Sequence, residues 1–184
     1  MLKKLQDIAT IKSSITFVKL NSKVKSRIYF EIELLEEYEK VNFYSIRFDG
    51  ESDTEFEKFL LAFKDSHPDD IAVIMYRLDR ITQDGVFPRH FRYAGKMKDR
   101  TAELPNNFDT ANLRLYCLCI SPQILLLGNG GLKTTKTYNE DPYLDKCVTT
   151  LQKIDSVLNH KEIKSEITVS GKTLSGDLSL YITD

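Results

Sequence analysis

Cysteine is scarce in this chain of 184 residues: Cys117, Cys119 and Cys147 are its only thiols. They suggest reduced core groups rather than a disulfide framework. Long hydrophobic runs are also missing. Ile120–Gly128 is far short of the ~20 apolar residues that span a bilayer, so no membrane association is expected. The opening stretch MLKKLQDIATIKSS has no apolar signal-peptide core, which makes the cytoplasm the expected compartment. There is no internal repeat or low-complexity linker, and no strong charge of either sign: the net charge is -1.

What is present is ordinary in bulk and uneven in detail. Hydrophobic residues make up 41% and charged residues 29%, the balance of a globular domain able to bury a core of its own. Between Arg89 and Tyr138 there are eight Lys/Arg and three Asp/Glu, so a basic middle lies inside an acidic frame. Such a cluster can form a local anion-binding face, or simply the solvated faces of strands.

The chain is organised around Asn112–Tyr138, its most apolar part. Leu113–Ile120 and Ile124–Leu127 read as antiparallel strands around a Ser121-Pro122-Gln123 turn, and Gly128–Gly131 reads as a break in the ladder. Before them, Phe91–Gly95 and Thr101–Leu104 are expected strands, giving a meander with short connections. Asn42–Phe48 is an earlier strand. Helix one follows, with Ser52 and Glu55 at capping-box spacing and an apolar stripe of Phe56, Phe59, Leu60 and Phe63. Helix two starts at Pro68 and buries Ile71, Ile74, Met75, Leu78 and Ile81 up to Asp84-Gly85. Helix three opens at Asp141-Pro142, with Leu144, Val148, Leu151, Ile154 and Leu158 as its stripe.

At the N-terminus a short helix over Leu2–Ile8 and a hairpin of Ser14–Leu20 with Lys25–Leu34 are expected. At the C-terminus Ile163–Val169 and Leu174–Ile182 read as a second hairpin. The expected fold class is α+β, with a helical hairpin and helices on one face of a mostly antiparallel sheet. The expected division is an N-terminal extension at 1–41, a central domain at 42–160 and a C-terminal β-hairpin extension at 161–184.

Four sets of residues carry possible chemistry. GNGGLKTT invites a phosphate-loop reading and fails on spacing, because Leu132 stands where Gly should precede Lys133. Cys117 and Cys119 lack a second ligand pair, which makes a poor zinc site and good core thiols. His67, His90 and His160 read as structural or solvated. The remaining set is Lys96, Lys98, Arg100, Glu103, Arg114, Lys133, Lys136 and Tyr138, from strands that a meander can bring together. It suits RNA cleavage by 2′-OH attack, which needs a base, cations for the charged phosphorane and a proton for the leaving oxygen.

NFYSIRFDGESDTEFEKFL, the helix hairpin, FRYAGKMKDRTAELP, LRLYC and ILLLGNGGLKTTKTY together resemble the RelE/ParE toxin superfamily, nearest to its HigB-like members. The resemblance covers roughly 42–158 and implies the element order β-α-α-β-β-β. It implies a toxin of a type II toxin–antitoxin system, neutralised by a cognate antitoxin of helix-turn-helix type. Many members enter the ribosome and cut mRNA with no metal or cofactor; ParE members poison DNA gyrase instead. By this resemblance Arg114 holds the scissile phosphate, Lys133 adds positive charge, Glu103 is the candidate base and Tyr138 stacks on a base or moves a proton. Lys96, Lys98, Arg100 and Lys136 form the RNA-binding approach. The chain departs from the pattern in being nearly twice the usual length and slightly acidic. A non-catalytic binding protein on the same fold is the alternative.

Overall fold

The computed structural model describes residues 26–93, 100–106 and 112–183. Seven strands form one sheet: β1 (Arg27–Glu37), β2 (Asn42–Phe48), β3 (Arg92–Tyr93), β4 (Thr101–Leu104), β5 (Leu113–Ser121), β6 (Ile124–Leu132) and β9 (Ser179–Thr183), in the order β3-β4-β5-β6-β2-β1-β9. Neighbours are antiparallel except β2 and β6, which run parallel with Asn42 opposite Ile124. β7 (Ile167–Ser170) and β8 (Thr173–Gly176) form a separate hairpin. The architecture is α+β and mostly antiparallel.

Three α-helices cover the sheet: α1 (Glu55–Phe63), α2 (Pro68–Asp84) and α3 (Pro142–Ile163). They do not share one face. Phe43, Leu115, Cys117, Leu125 and Leu127 point toward α1 and α2 and pack with Phe59, Ile74, Leu78 and Ile81. The alternate residues Tyr44, Tyr116, Leu118, Ile124 and Leu126 point the other way and pack on Leu144, Val148, Leu151, Ile154 and Leu158 of α3. Helices therefore bury both faces of the central strands, which is why β5 and β6 read as nearly continuous apolar runs rather than alternating ones.

Local chemistry explains the helix ends. The capping box of α1 is Thr54 with Glu57, not Ser52 with Glu55. Thr54 Oγ1 accepts from the Glu57 amide at 3.3 Å, and Glu57 Oε2 accepts from the Thr54 amide at 2.7 Å. Ser52 instead donates to Asp53. The α2 stripe is Ile74, Leu78 and Ile81, with Ile71 partly buried and Met75 exposed. The stripe expected for α3 is buried throughout, and Asp141 caps its first amides.

Gly128–Gly131 lies inside β6 and does not break the ladder. Gly128 and Asn129 together face Tyr116 in a bulge, with Cys117 paired to Leu127 on one side and Leu115 to Gly130 on the other. The glycines permit close approach: a Cβ on Gly130 would lie 1.8 Å from the carbonyl oxygen of Arg114.

The terminal segments differ from the expected hairpins. The expected Leu2–Ile8 helix and Ser14–Leu20 strand fall outside the described residues. Both edges of β1 are occupied over Phe30–Glu31, by β2 and by β9. At the C-terminus α3 continues to Ile163, β7 and β8 form the short hairpin, and β9 separates to join the main sheet beside β1.

Candidate functional site

The sheet order brings β3, β4, β5 and the end of β6 side by side. In register, Arg92 on β3 faces Glu103 on β4, and Glu103 faces Tyr116 on β5. Arg114 lies two residues before Tyr116, so it shares that face. Arg114 in turn faces Gly131 on β6, and Lys133 follows two residues later on the same side. The ladder continues to Lys133, whose amide donates to the Asn112 carbonyl at 2.9 Å.

These side chains meet at one atom. Glu103 Oε1 lies 3.3 Å from Arg92 Nε, 3.6 Å from Lys133 Nζ and 3.8 Å from Arg114 Nε. Glu103 is 2% exposed, and its Oε1 is buried without a hydrogen bond among the described residues. The four groups carry a formal charge of +2 in a largely enclosed place. Arg114 and Lys133 are 15% and 9% exposed at the side chain, whereas Arg92 is 45% exposed. Arg114 Nη1 also donates to the Leu113 carbonyl at 2.9 Å.

Tyr116 sits beneath the cluster, fully buried, with a hydroxyl that makes no hydrogen bond among the described residues. Burial, and then the Glu103 charge, hold its phenol well above the usual range. It therefore stays protonated and retains a proton to donate.

The other expected site residues are distributed unevenly. Tyr138 begins a 3-10 turn (Tyr138–Glu140) and packs edge-on against Tyr116, with ring centroids 6.3 Å apart. It thus adjoins the cluster through Tyr116. Lys136 is exposed in the segment before that turn. Arg100 is turned onto α3, where it pairs with Asp155 at 2.6 Å and Glu162 at 3.2 Å. Lys96 and Lys98 lie outside the described residues. Glu103, Arg114 and Lys133 are thus brought together, Tyr138 stands one ring away, and Arg100 is engaged elsewhere.

Sequence reasoning missed Arg92 and Tyr116. A signal existed for each: Tyr116 follows Arg114 at strand spacing within LRLYC, and Arg92 lies in the strand expected to pair with that of Glu103.

A groove of about 470 Å³ lies between α3 and the sheet, lined by Ile46, Phe48, Lys58, Gly128, Asn129 and Cys147 among others. It does not include the Glu103 cluster. Several of its polar groups satisfy one another: Asn129 donates to Glu55, Tyr143 donates to Asn129, and Lys58 pairs with Glu51 and Glu55. Burial pushes the Cys147 thiol up to about 12, so it is not an activated nucleophile. Among the described residues no group of three His, Cys, Asp or Glu side chains could hold a metal ion, and no helix is long and apolar enough to cross a membrane.

No protein-family model, curated protein or solved structure matches this chain. The functional reading therefore rests on the cluster itself and on the motif resemblance.

Proposed function

We propose that the protein is a RelE/HigB-like toxin, a ribosome-dependent endoribonuclease that cleaves mRNA and is neutralised by a cognate antitoxin in the cytoplasm. The observation that carries this reading is the convergence of Glu103, Arg114 and Lys133 from β4, β5 and the end of β6. The element order from β2 through the α1–α2 hairpin to the β3–β6 strands supports it as well.

In the proposed reaction the 2′-oxygen of one nucleotide attacks the adjacent phosphorus and gives up its proton to a base. The bond from phosphorus to the 5′-oxygen breaks, and that oxygen takes a proton. The products are a 2′,3′-cyclic phosphate and a 5′-hydroxyl. Arg114 and Lys133 stabilise the charge that builds on the phosphorane. The phenol of Tyr138 stacks on a base or carries the proton.

A second reading has its own support. Arg114 and Lys133 are mostly enclosed and directed at an internal carboxylate, which leaves them little open to a substrate; in this reading the chain is a non-catalytic binding protein on the same fold that acts through partners, DNA gyrase among them.

One experiment separates the two. The protein is expressed with and without a neighbouring helix-turn-helix gene, and RNA ends and DNA breaks are mapped. Growth arrest with new mRNA ends, abolished by Arg114→Ala, supports the nuclease. Arrest with broken DNA and intact mRNA supports gyrase inhibition, and normal growth with intact mRNA and DNA contradicts both toxin readings.

A further inference from the structure

Within the Glu103 cluster the roles of the four charged groups differ by position. Three cations share a single carboxylate oxygen at 3.3–3.8 Å, and that oxygen is buried. A group so enclosed is poorly placed to reach a substrate hydroxyl. Its evident effect is to hold three like charges within a few ångströms of one another. Arg92 alone of the three is substantially open to solvent. It approaches Glu103 through Nε, and a guanidinium held that way still has the Nη donors of its fork for an outside oxyanion.

We infer that Arg92 is the outward contact of this site for a phosphodiester anion, and that Glu103 is a positioning residue gathering Arg92, Arg114 and Lys133 rather than the base of the reaction. The choice of a phosphodiester rests on the nuclease reading.

The test uses the full chain and a 2′-O-methyl RNA trinucleotide, which carries phosphodiesters and resists 2′-OH attack. NMR follows the arginine Nε–H signals during titration. The Arg92 signal is expected to move on binding, and Arg92→Gln to weaken binding about tenfold, the loss typical of a charge-assisted contact. Glu103→Gln gives opposite signs for the two roles. It removes a negative charge, so a carboxylate that merely opposed the ligand predicts tighter binding. A positioning carboxylate predicts weaker binding, with broadened arginine signals in a protein that still melts cooperatively.

Unchanged affinity in Arg92→Gln, or equal or tighter binding in folded Glu103→Gln, overturns the inference. If Glu103→Gln does not fold, Arg92→Gln decides the anion contact, because Arg92 is an exposed edge residue, and Glu103→Asp, which keeps the charge but draws it back from the three cations, decides the positioning role: weaker binding supports it and unchanged binding overturns it. Binding that depends on Arg92, without mRNA cleavage on ribosomes, leaves the anion site standing and removes the nuclease. Cleavage with affinity unaffected by Arg92→Gln does the reverse.

Discussion

Arg100 Nε donates to Asp155 Oδ1 at 2.6 Å, and the same guanidinium reaches Glu162 at 3.2 Å. This ties the start of β4 to α3 across the sheet face that carries the Glu103 cluster. Both partners are well covered, with Asp155 9% and Arg100 20% exposed at the side chain. Removing one partner of such a pair leaves an uncompensated charge, at a cost of about 3–5 kcal/mol. Arg100→Gln, which strands both carboxylates, is therefore expected to lower stability by an amount in that range, and Asp155→Ala by less because Glu162 still faces the guanidinium, both measured by denaturant unfolding. Arg100→Gln is also expected to leave the salt dependence of RNA binding unchanged, because its charge is spent within the fold.

His90 is buried, with neither ring nitrogen hydrogen-bonded among the described residues and Asp84 Oδ2 3.3 Å from Nε2. Burial, and then the Arg89 charge, hold its pKa below the ordinary value, with Asp84 opposing. The unfolded chain thus binds this proton more readily than the folded one. His90 contributes stability that is full above its unfolded pKa, about 6.5, and is lost as pH falls toward the folded value. Tm is expected to fall on acidification below that point, and His90→Gln to flatten that part of the profile.

The α1 cap predicts a second, lower acid step. Glu57 is held below its usual carboxylate range by hydrogen bonds from the Thr54 backbone and side chain. Its contribution is present above the unfolded value, about 4.3, and is lost as pH falls through the lower folded value. Thr54→Ala is expected to cost about 1 kcal/mol at neutral pH and to shrink this step, both read from unfolding curves across pH.

Gly130 is expected to tolerate no side chain. A Cβ there would meet the Arg114 carbonyl oxygen at 1.8 Å, and the obstacle is backbone. Gly130→Ala must separate β5 from β6 where Arg114 and Lys133 depend on their spacing. A loss above about 4 kcal/mol, the severe end for single substitutions, or failure to fold is expected in thermal melts. A melt like that of the parent protein would show that the strands yield easily there.

Much of the fold was legible because its signals are local. The α3 stripe, the Pro68 and Asp141-Pro142 helix starts, and β4 follow from periodicity and capping chemistry. The α1 cap is ambiguous in the sequence because Ser52/Glu55 and Thr54/Glu57 offer the same spacing, and only the chain's direction into the helix chooses between them. The glycine run reads as a break because glycine weakens isolated strands. Here close packing against Arg114 and Leu151 makes it a strand instead. The placement of α3 opposite the other helices, and of β9 beside β1, depends on contacts distant in sequence. For the site, Glu103, Arg114 and Lys133 could be proposed because a meander aligns their strands. The engagement of Arg100 by Asp155 and Glu162 could not, since 55 residues separate Arg100 from Asp155.

In the proposed function, Arg114 and Lys133 of the Glu103 cluster support the cutting of mRNA. The most direct measurement is mapping of mRNA 5′ ends after incubating purified protein with translating ribosomes, beside folded Arg114→Ala and Lys133→Ala. New 5′-hydroxyl ends are expected with the parent protein, and a loss of at least about a hundredfold in either variant, the scale of removing one preorganised charge-stabilising group. Intact mRNA with the folded parent protein, or cleavage undiminished in Arg114→Ala, would contradict the proposed function.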